Sequence, residues 1–258
     1  MIRVHDLWKS YGNLEVLKGL SLDIFTGETL VILGRSGVGK SVLLKQIIAL
    51  ETPDKGYVEV DGQRITNVNR YGSNSEILKQ MGMLFQGSAL FDSMNIGENT
   101  AFYLRQHNHT LTAKEVEELV DNALKMVGLE GTQQKLPSEL SGGMRKRAAL
   151  ARLIVYRPKI ILYDEPTTGL DPLTSTQINE LMNNIKVQLG ATSIVVTHDI
   201  RSALEIGDRL AFHKDGKIAY VGEKKAFFES KETMIRDFID HAIIDKSSIE
   251  YYTSKTNI

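Results

Sequence analysis

Short apolar runs alternate along the chain with stretches in which apolar residues recur every three or four positions. Runs of the first kind predict β-strands, and stretches of the second kind predict helices with one buried face. The clearest strand covers residues 29–33, which a glycine-rich turn joins to a helical stretch at residues 42–50. A continuous apolar run of this length is typical of a strand that is buried on both faces. We therefore expect a mostly parallel sheet that is covered by helices on both faces.

The first 25 residues follow a different pattern. Three short apolar runs within residues 2–25 are separated by turns such as Tyr11-Gly12-Asn13. Closely spaced short strands with turn residues between them predict an antiparallel β subdomain beside the core. Two hairpins are expected further along the chain, because Asp61-Gly62 and Asp215-Gly216 each separate two strand-like runs.

A third pattern occupies the middle of the chain. From Phe85 onward the apolar spacing is helical, and the strongest helix starts with a capping box formed by Thr112 and Glu115. The core pattern resumes with the apolar run at residues 160–163. A helical subdomain at about residues 87–153, inserted into the core, is the simplest account.

Composition narrows the class of protein. At 258 residues and 42% hydrophobic, the chain can bury a full core as one large domain or as a core with an inserted lobe. Its 31 basic and 32 acidic residues give a net charge of -1, so no sequence-wide bias favours nucleic acid or an anionic membrane surface. We expect neither a signal peptide nor a membrane-spanning segment. The chain has no cysteine, which excludes disulfides and thiolate metal sites.

The glycine-rich turn after the first core strand matches the phosphate-binding P-loop pattern. Gly34, Gly39, Lys40 and Ser41 occupy its four fixed positions. Such a loop turns successive backbone N–H groups toward a polyphosphate and places a helix N-terminus and an ammonium group beside it. The alternative is a surface turn that only reverses the chain. We expect nucleotide contacts from the whole loop, namely Gly34, Arg35, Ser36, Gly37, Val38, Gly39, Lys40, Ser41 and Val42.

A second apolar run ends in two carboxylates, Asp164 and Glu165. Nucleotide hydrolysis needs Mg²⁺ at the terminal phosphates and a group that orients the attacking water. We assign the metal to Asp164 and the water to Glu165. Many strands simply end in solvated acids, so this pattern gains its weight from the P-loop that precedes it.

The segment Leu140-Ser141-Gly142-Gly143-Met144 precedes a further helical stretch. Its serine can cap that helix, and its two glycines let backbone amides approach an anion closely. Taken with the P-loop and the acid pair, it resembles the signature of the ATP-binding subunits of ABC transporters, which is usually Leu-Ser-Gly-Gly-Gln. The resemblance covers nearly the whole chain in the family's order. Met144 departs from the usual glutamine, and a thioether cannot make the hydrogen bonds of an amide.

The resemblance implies further roles. Tyr11 is similar to the aromatic residue that stacks on adenine, Gln86 to the Q-loop residue that touches Mg²⁺ and senses the membrane partner, and His198 to the switch histidine at the γ-phosphate. A tyrosine packed on the sheet and a structural histidine are the alternatives. The expected catalytic residues are Glu165, His198, Gln86 and Lys40, and the expected metal ligands are Ser41, Gln86 and Asp164. Beyond the P-loop, the expected nucleotide contacts are Tyr11, Ser141, Gly142, Gly143 and Asp171 of the D-loop.

The resemblance also implies an assembly and a fold. Two copies form a head-to-tail homodimer in which each signature completes the partner's P-loop site, with ATP and Mg²⁺ as cofactors. The fold class is α/β, a P-loop NTPase core with the antiparallel subdomain and the helical insertion. One ATPase domain then covers residues 1–244. The polar tail at residues 245–258 is either a docking arm or a frayed terminus.

Residues 83–94 and the run Leu-Ser-Gly-Gly-Met-Arg-Lys-Arg resemble one branch of the family, the ATPase of Mla/Mce-type phospholipid transporters. This branch implies integral membrane permease subunits and an MCE-domain lipid-binding protein as partners, no nucleic acid, and a peripheral position on the cytoplasmic face of the inner (plasma) membrane. Ala89, Leu90, Phe91 and Met94 would face the permease or simply pack the inserted lobe. A polar-solute importer is the alternative. An ABC-type ATPase in DNA repair or on the ribosome is disfavoured, because coiled coils and tandem cassettes are missing.

Overall fold

The computed structural model of the protein describes residues 1–65 and 75–240. Within those residues ten strands form two sheets. The strands are β1 (Ile2–Tyr11), β2 (Leu14–Ile24), β3 (Thr29–Leu33), β4 (Lys55–Val60), β5 (Gln63–Arg64), β6 (Met81–Leu84), β7 (Ile160–Asp164), β8 (Thr192–Thr197), β9 (Arg209–Lys214) and β10 (Lys217–Glu223).

The same part of the chain contains nine α-helices and one short 3₁₀ turn at Pro137–Glu139. The helices are α1 (Lys40–Ile47), α2 (Ser75–Leu78), α3 (Ile96–His107), α4 (Ala113–Met126), α5 (Gly142–Ile154), α6 (Pro172–Leu189), α7 (Ile200–Ile206), α8 (Lys224–Glu229) and α9 (Thr233–Asp240). None of these described helices combines the length and the apolar character that crossing a bilayer requires.

The core sheet has the strand order β10-β9-β3-β8-β7-β6, and all its pairs are parallel except β10 with β9. Every residue of β3, β7 and β8 is buried. Val31 and Leu33 pack into one hydrophobic cluster, whereas Leu30 and Ile32 pack into another. Because successive side chains of a strand point to opposite faces, both faces of the sheet are covered, as predicted. Helices α5, α6 and α7 contribute to the first cluster, and helix α1 and the antiparallel sheet contribute to the second.

The antiparallel sheet has the order β2-β1-β4-β5 and confirms the prediction for the N-terminal region in outline. The structure differs in detail, since two long strands replace three short ones and meet at the Gly12-Asn13 turn. Strand β1 pairs with β2 and β4, so it continues through polar residues as well as apolar ones. Its pairing is interrupted by bulges between Val4 and Trp8. The hydrogen bonds between strands are made by backbone groups and do not require apolar side chains. The apolar runs therefore predicted strands that are too short. Both predicted hairpins are present, as β4–β5 and β9–β10.

Helices α3, α4 and α5 lie between β6 and β7 in the chain, where the helical pattern predicted them. The capping box at the start of α4 is formed as predicted by Thr112 and Glu115. Helix α3 begins with a second capping box, Asn95 with Glu98, which was not predicted. The residues between β6 and α3 form no helix, so the helical region begins later than the spacing indicated.

Helices α8 and α9 close the described part of the chain. They pack Phe227, Phe228, Ile235 and Ile239 against the core. The tail predicted at residues 245–258 lies outside the described residues, so its two interpretations stay open.

Candidate active site

The predicted site residues gather at the carboxyl ends of neighbouring parallel strands. The P-loop follows β3, His198 follows β8, the pair Asp164 and Glu165 ends β7, and Gln86 follows β6. Parallel strands end at one edge of a sheet, and ligands of open α/β sheets bind in the crevice outside that edge. The strand order therefore brings together residues that are more than a hundred positions apart in the sequence.

Two P-loop positions must be glycine, because atoms of neighbouring strands lie too close to leave room for a side chain. Gly39 has φ 104°, and a Cβ there would lie 2.5 Å from Val16 Cγ1. A Cβ at Gly34 would lie 2.6 Å from the carbonyl oxygen of His213. Neither position accepts a side chain without displacing β2 or β9, so the glycine pattern follows from the packing of the loop.

Lys40 is the first residue of α1, and its side chain is 5% exposed. Its Nζ donates to the carbonyl oxygens of Gly34 at 2.8 Å and Arg35 at 3.0 Å, and it lies 3.4 Å from Glu165 Oε1. Burial lowers the pKa of Lys40, while the charge of Glu165 acts in the opposite direction. The ammonium thus sits inside its own loop, beside the acids of β7.

Asp164 Oδ1 accepts a hydrogen bond of 2.8 Å from Ser41 Oγ. Burial raises the pKa of Asp164, and the bond from Ser41 opposes that rise. A hydroxyl and a carboxylate oxygen therefore lie side by side at the start of α1, as the assignment of Ser41 and Asp164 to one metal ion requires. No group of three or more His, Cys, Asp or Glu side chains suited to a metal occurs within residues 1–65 and 75–240.

Glu165 sits at the centre of a buried hydrogen-bond network. Its Oε2 accepts from His198 Nδ1 at 2.9 Å, Thr168 Oγ1 at 3.0 Å and Thr197 Oγ1 at 3.2 Å. Its backbone has φ 47°, a left-handed conformation that a non-glycine residue adopts only under constraint. Burial raises the pKa of Glu165, but the bond from His198 and the charge of Lys40 outweigh it, so the pKa is lowered. Glu165 is therefore a fixed, ionised carboxylate.

Lys40, Ser41 and Glu165 open onto one cleft of about 430 Å³, whereas the predicted residues Asp164, Gly34, Arg35 and Val38 are not among those that line it. The predicted residues that line it are Tyr11, Ser36, Gly37, Gly39, Lys40, Ser41, Val42, Gln86, Glu165 and His198. Val16 and Thr168 also line the cleft and were not predicted. Thr167 and Thr168, which follow Glu165 after one proline, were a signal for Thr168, because a hydroxyl a few residues along the chain can donate back to an acid. Nothing in the local pattern distinguishes Val16 from the other apolar residues of β2.

Tyr11 lies at the end of β1 and is 46% exposed. Its hydroxyl donates to the carboxylate of Glu51, and Lys9 lies over its ring at 5.6 Å. Burial, helped by the bond to Glu51, raises the pKa of Tyr11 to about 12. The ring is therefore held at the mouth of the cleft by its hydroxyl, rather than packed into the sheet.

Ser141, Gly142 and Gly143 do not line this cleft. Ser141 Oγ caps α5 by accepting from the N–H of Met144 at 3.3 Å, and Ser141 and Gly142 are exposed. Asp171 is also used locally, since its carboxylate caps α6 through the N–H and hydroxyl of Thr174. The signature and Asp171 are thus not among the residues that line the P-loop cleft of their own chain.

One buried residue beneath the P-loop escaped prediction. His213 on β9 is 1% exposed, and neither of its ring nitrogens has a hydrogen-bond partner among the described residues. Burial, together with the nearby charge of Lys40, lowers the pKa of His213 to about 4. A lone histidine in a strand matches no sequence motif. His213 is noticed only because the structure places it under Gly34 and Gly39.

A family model described as ABC transporter matches residues 17–168, which is more than half of the chain. The chain belongs to the ABC transporter family. It is an ATPase subunit, the part of an ABC transporter in which ATP is hydrolysed.

Relatives in the ABC transporter family support the assignment over most of the chain. The probable ribonucleotide transport ATP-binding protein mkl of Mycobacterium leprae is 40% identical over 239 residues, which are 93% of this chain and 68% of that protein. The intermembrane phospholipid transport system ATP-binding protein MlaF of Escherichia coli K12 is 37% identical over 240 residues, which are 93% of this chain and 88% of MlaF.

A solved structure supports the ABC fold. The dimeric ATP-binding cassette MJ0796 in a post-hydrolysis state, bound to ADP and Pi, matches with a TM-score of 0.77 and 31% identity. The match covers 86% of this chain and 98% of that cassette. The fold class predicted from the sequence is therefore confirmed.

Proposed function

We propose that this ABC ATPase hydrolyses Mg-ATP in a homodimer and thereby drives a phospholipid transporter of the cell envelope. The arrangement of Lys40, Glu165 and His198 around one cleft carries the hydrolytic part of the proposal. The likeness to MlaF over 88% of the length of that phospholipid transport protein carries the lipid part.

The residues beside the P-loop fit a magnesium ion. Ser41 and Asp164 offer a hydroxyl and a carboxylate oxygen that are 2.8 Å apart, and Gln86 lines the same cleft. Oxygen ligands are those that Mg²⁺ prefers, and Mg²⁺ is usually held by one or two protein ligands together with substrate phosphates. When bound, the ion neutralises charge that develops on the phosphates.

The ammonium of Lys40 would exchange its hydrogen-bond acceptors when nucleotide binds. It now donates to two carbonyl oxygens of its own loop and lies near Glu165. A phosphate oxygen is the stronger acceptor, so Lys40 turns toward the nucleotide and withdraws its charge from Glu165. The pKa of Glu165 then rises, which makes the carboxylate a better base for the attacking water. His198 holds Glu165 in orientation through the 2.9 Å bond, and it lines the cleft in which the γ-phosphate would lie.

The signature residues complete the site of a second copy in this proposal. They lie outside the cleft of their own chain, and the N-terminus of α5 has no acidic residue in its first turn to oppose a phosphate. The dimeric state of the matched cassette supports the arrangement. The two sites of the dimer are then each built from both chains.

A cross-linking experiment tests this arrangement. The chain has no cysteine, so Ser36→Cys and Ser141→Cys in one chain give two defined thiols. With Glu165→Gln present and ATP added, a short bismaleimide should link two chains into a dimer on a denaturing gel. The single variants are the controls. Cross-links confined to one chain, or a yield that ignores ATP, would contradict the composite site.

The apolar stretch before α3 supports a membrane partner. Phe91 is 39% exposed, and its ring lies 4.7 Å from that of Phe102 at a tilt of 49°. It borders a groove of about 220 Å³. We assign this groove to an integral permease subunit, which places the ATPase on the cytoplasmic face of the inner membrane. An MCE-domain lipid-binding protein completes the assembly in this proposal.

Ribonucleotide transport is the alternative, because mkl, the relative named for it, is 40% identical. Purification with native partners in mild detergent, followed by reconstitution into vesicles, distinguishes the two. ATP-dependent transfer of labelled phospholipid, with a permease and an MCE-domain protein in the complex, supports the proposal. ATP-dependent uptake of ribonucleotides without lipid transfer would overturn the lipid part and leave the ATPase assignment intact.

A further inference from the structure

Two cationic side chains of α5 reach across to the segment that follows β6. Lys146 is 5% exposed, and its Nζ donates to the carbonyl oxygen of Gln86. Arg152, nearly two turns further along the same helix, donates from Nη1 to the carbonyl oxygen of Ala89 at 2.7 Å. One helix therefore holds both ends of a four-residue segment by its backbone.

The segment between these two hydrogen bonds is strained. Ser88 has φ 65° and Ala89 has φ 49°, so two consecutive non-glycine residues adopt the left-handed conformation. Such residues persist only where the surrounding structure enforces their conformation. Ser88 is 7% exposed, and its N–H donates to the carbonyl oxygen of Phe85. The bonds from Lys146 and Arg152 are two of the contacts that enforce this turn.

The burial of Lys146 calls for a reason beyond packing. Within the described residues neither Lys146 nor Arg152 forms an ion pair. Burial lowers the pKa of Lys146, and the charges of Asp164 and Glu165 partly restore it. A buried ammonium without a carboxylate partner costs free energy, and an apolar side chain of similar length would avoid that cost. The ammonium of Lys146 also lies close enough to Asp164 and Glu165 to interact electrostatically with them.

We propose that Lys146 is a positioning residue for Gln86, and that Lys146 and Arg152 together fasten residues 86–89 to α5. Helix α5 starts at the signature serine, Ser141, so one rigid element carries the signature at one end and the Gln86 segment along its side. A displacement of the signature by nucleotide is then passed to Gln86 and to the apolar stretch that follows it. This inference rests on the proposed function for the part played by Gln86 at the metal.

The geometry separates this role from a purely structural one. If Lys146 only filled space, Lys146→Met would preserve the position of Gln86, because the two side chains have similar length and methionine adapts to its surroundings. If Lys146 positions Gln86, the same variant releases the carbonyl oxygen of Gln86 and lets the strained turn relax. The two cases differ in magnesium dependence and in backbone protection at residues 86–89, but not in overall stability.

The experiment compares full-length Lys146→Met with Lys224→Met. Lys224 is a matched control, because its Nζ also donates to a backbone carbonyl, that of Leu204 at 3.1 Å, and burial also lowers its pKa. For Lys146→Met we expect the Mg²⁺ concentration for half-maximal ATPase activity to rise about tenfold, as for other residues that orient a metal ligand. ATP binding without Mg²⁺ should be unchanged, and amide hydrogen exchange at residues 86–89 should accelerate. Lys224→Met should match the wild type in all three measurements.

An unchanged magnesium dependence together with unchanged exchange at residues 86–89 would overturn the inference. If Lys146→Met does not fold, Lys146→Gln and Arg152→Lys are measured in the same way, and Arg152→Lys should retain most of the protection because it keeps a donor. The proposed function fails separately, since a wild-type dimer without Mg²⁺-dependent hydrolysis would contradict it. Hydrogen exchange would still test the link between α5 and residues 86–89 in that case.

Discussion

Two glycine-rich helix N-termini of this chain have opposite surroundings. Helix α1 has Gly39 as its N-cap and no capping side chain, and it opens into the cleft beside the buried Lys40. Helix α5 is capped by its own Ser141, is exposed at its start and lies outside that cleft. Both lack an acidic residue in the first turn, whereas α3 and α4 each place a glutamate there.

The difference teaches how the site is divided. A helix N-terminus attracts anions through its free N–H groups and its dipole, and an acid in the first turn uses that potential locally. Helix α1 keeps the potential and brings Lys40 and Ser41 beside Asp164 and Glu165, which fits the larger part of the proposed phosphate site. Helix α5 keeps the potential too, and the guanidinium of Arg145 lies beside its start, where it donates to the carbonyl oxygen of Leu140 at 2.7 Å. Since this helix start lies outside the cleft of its own chain, it fits a contribution to another copy.

The largest expected effect comes from Glu165→Gln, which removes the proposed proton acceptor at the α1 end. The amide keeps the size of the side chain, so ATP binding persists while turnover falls by about 10²- to 10⁴-fold, the range of a lost general base. Trapped dimers should accumulate with ATP. Steady-state ATPase assays and gel filtration measure both effects. Glu180→Gln, on the exposed face of α6, is the control. Turnover like that of the wild type would remove Glu165 from its assigned role.

The next effect concerns the support beneath the α1 end, where His213 has a pKa of about 4. In the unfolded chain the pKa of histidine is about 6.5, so below that pH the unfolded state binds a proton that the folded state refuses. The free energy of unfolding should therefore fall between about pH 6.5 and pH 4, by about 3 kcal/mol in total. Urea unfolding at several pH values measures it. His213→Gln should flatten this slope, and the exposed His109→Gln should not. Equal slopes in all three proteins would contradict the burial of a neutral imidazole.

A smaller effect is expected for Lys40→Ala, which removes the cation that distinguishes the α1 end from the α5 end. Loss of a charge-assisted hydrogen bond to phosphate should weaken Mg-ATP binding by about 10- to 100-fold. Calorimetric titration measures the dissociation constant. Lys79→Ala removes an exposed lysine that pairs with Glu76 at 2.6 Å and serves as control. Binding as tight as that of the wild type would mean that the glycine-rich loop is not the phosphate site.

The smallest effect is expected at the α5 end. Ser141→Ala deletes the acceptor for the N–H of Met144 and should lower the free energy of unfolding by about 1 kcal/mol, as for other N-cap serines. Ser141→Thr keeps a capping hydroxyl and should lose less. Denaturant unfolding measures both variants. A stability loss well above 2 kcal/mol would show that Ser141 has contacts beyond its cap.

Part of the fold and of the site could be predicted from the sequence. The features that were not predicted lack a regular local pattern or depend on contacts with other segments. The capping box of α4 was found because an amphipathic pattern follows it, whereas that of α3 was missed because its apolar positions are less regular. The strand β1 is longer than its apolar run, because neighbouring strands supply the ladder. Val16 and His213 were not predicted because each belongs to the site only through packing, whereas the threonines after Glu165 were a local signal for Thr168.

The sequence by itself determined the local chemistry of this protein. A P-loop needs glycines where a Cβ would clash and a lysine in the first turn of its helix. The acid pair is recognised because it stands at the end of an apolar strand. These requirements act between near neighbours in the chain, so they are visible as a pattern. The membership of the ABC transporter family follows from several such patterns in a fixed order.

Only the tertiary structure decided which of these residues meet. The order β3-β8-β7-β6 places Ser41 beside Asp164 across 123 positions and His198 beside Glu165 across 33. Burial at that edge shifts the pKa values of the acids and of Lys40, and the link from Lys146 to Gln86 crosses from one element to another. Contacts through space and desolvation depend on the packing of distant segments, which no local periodicity contains.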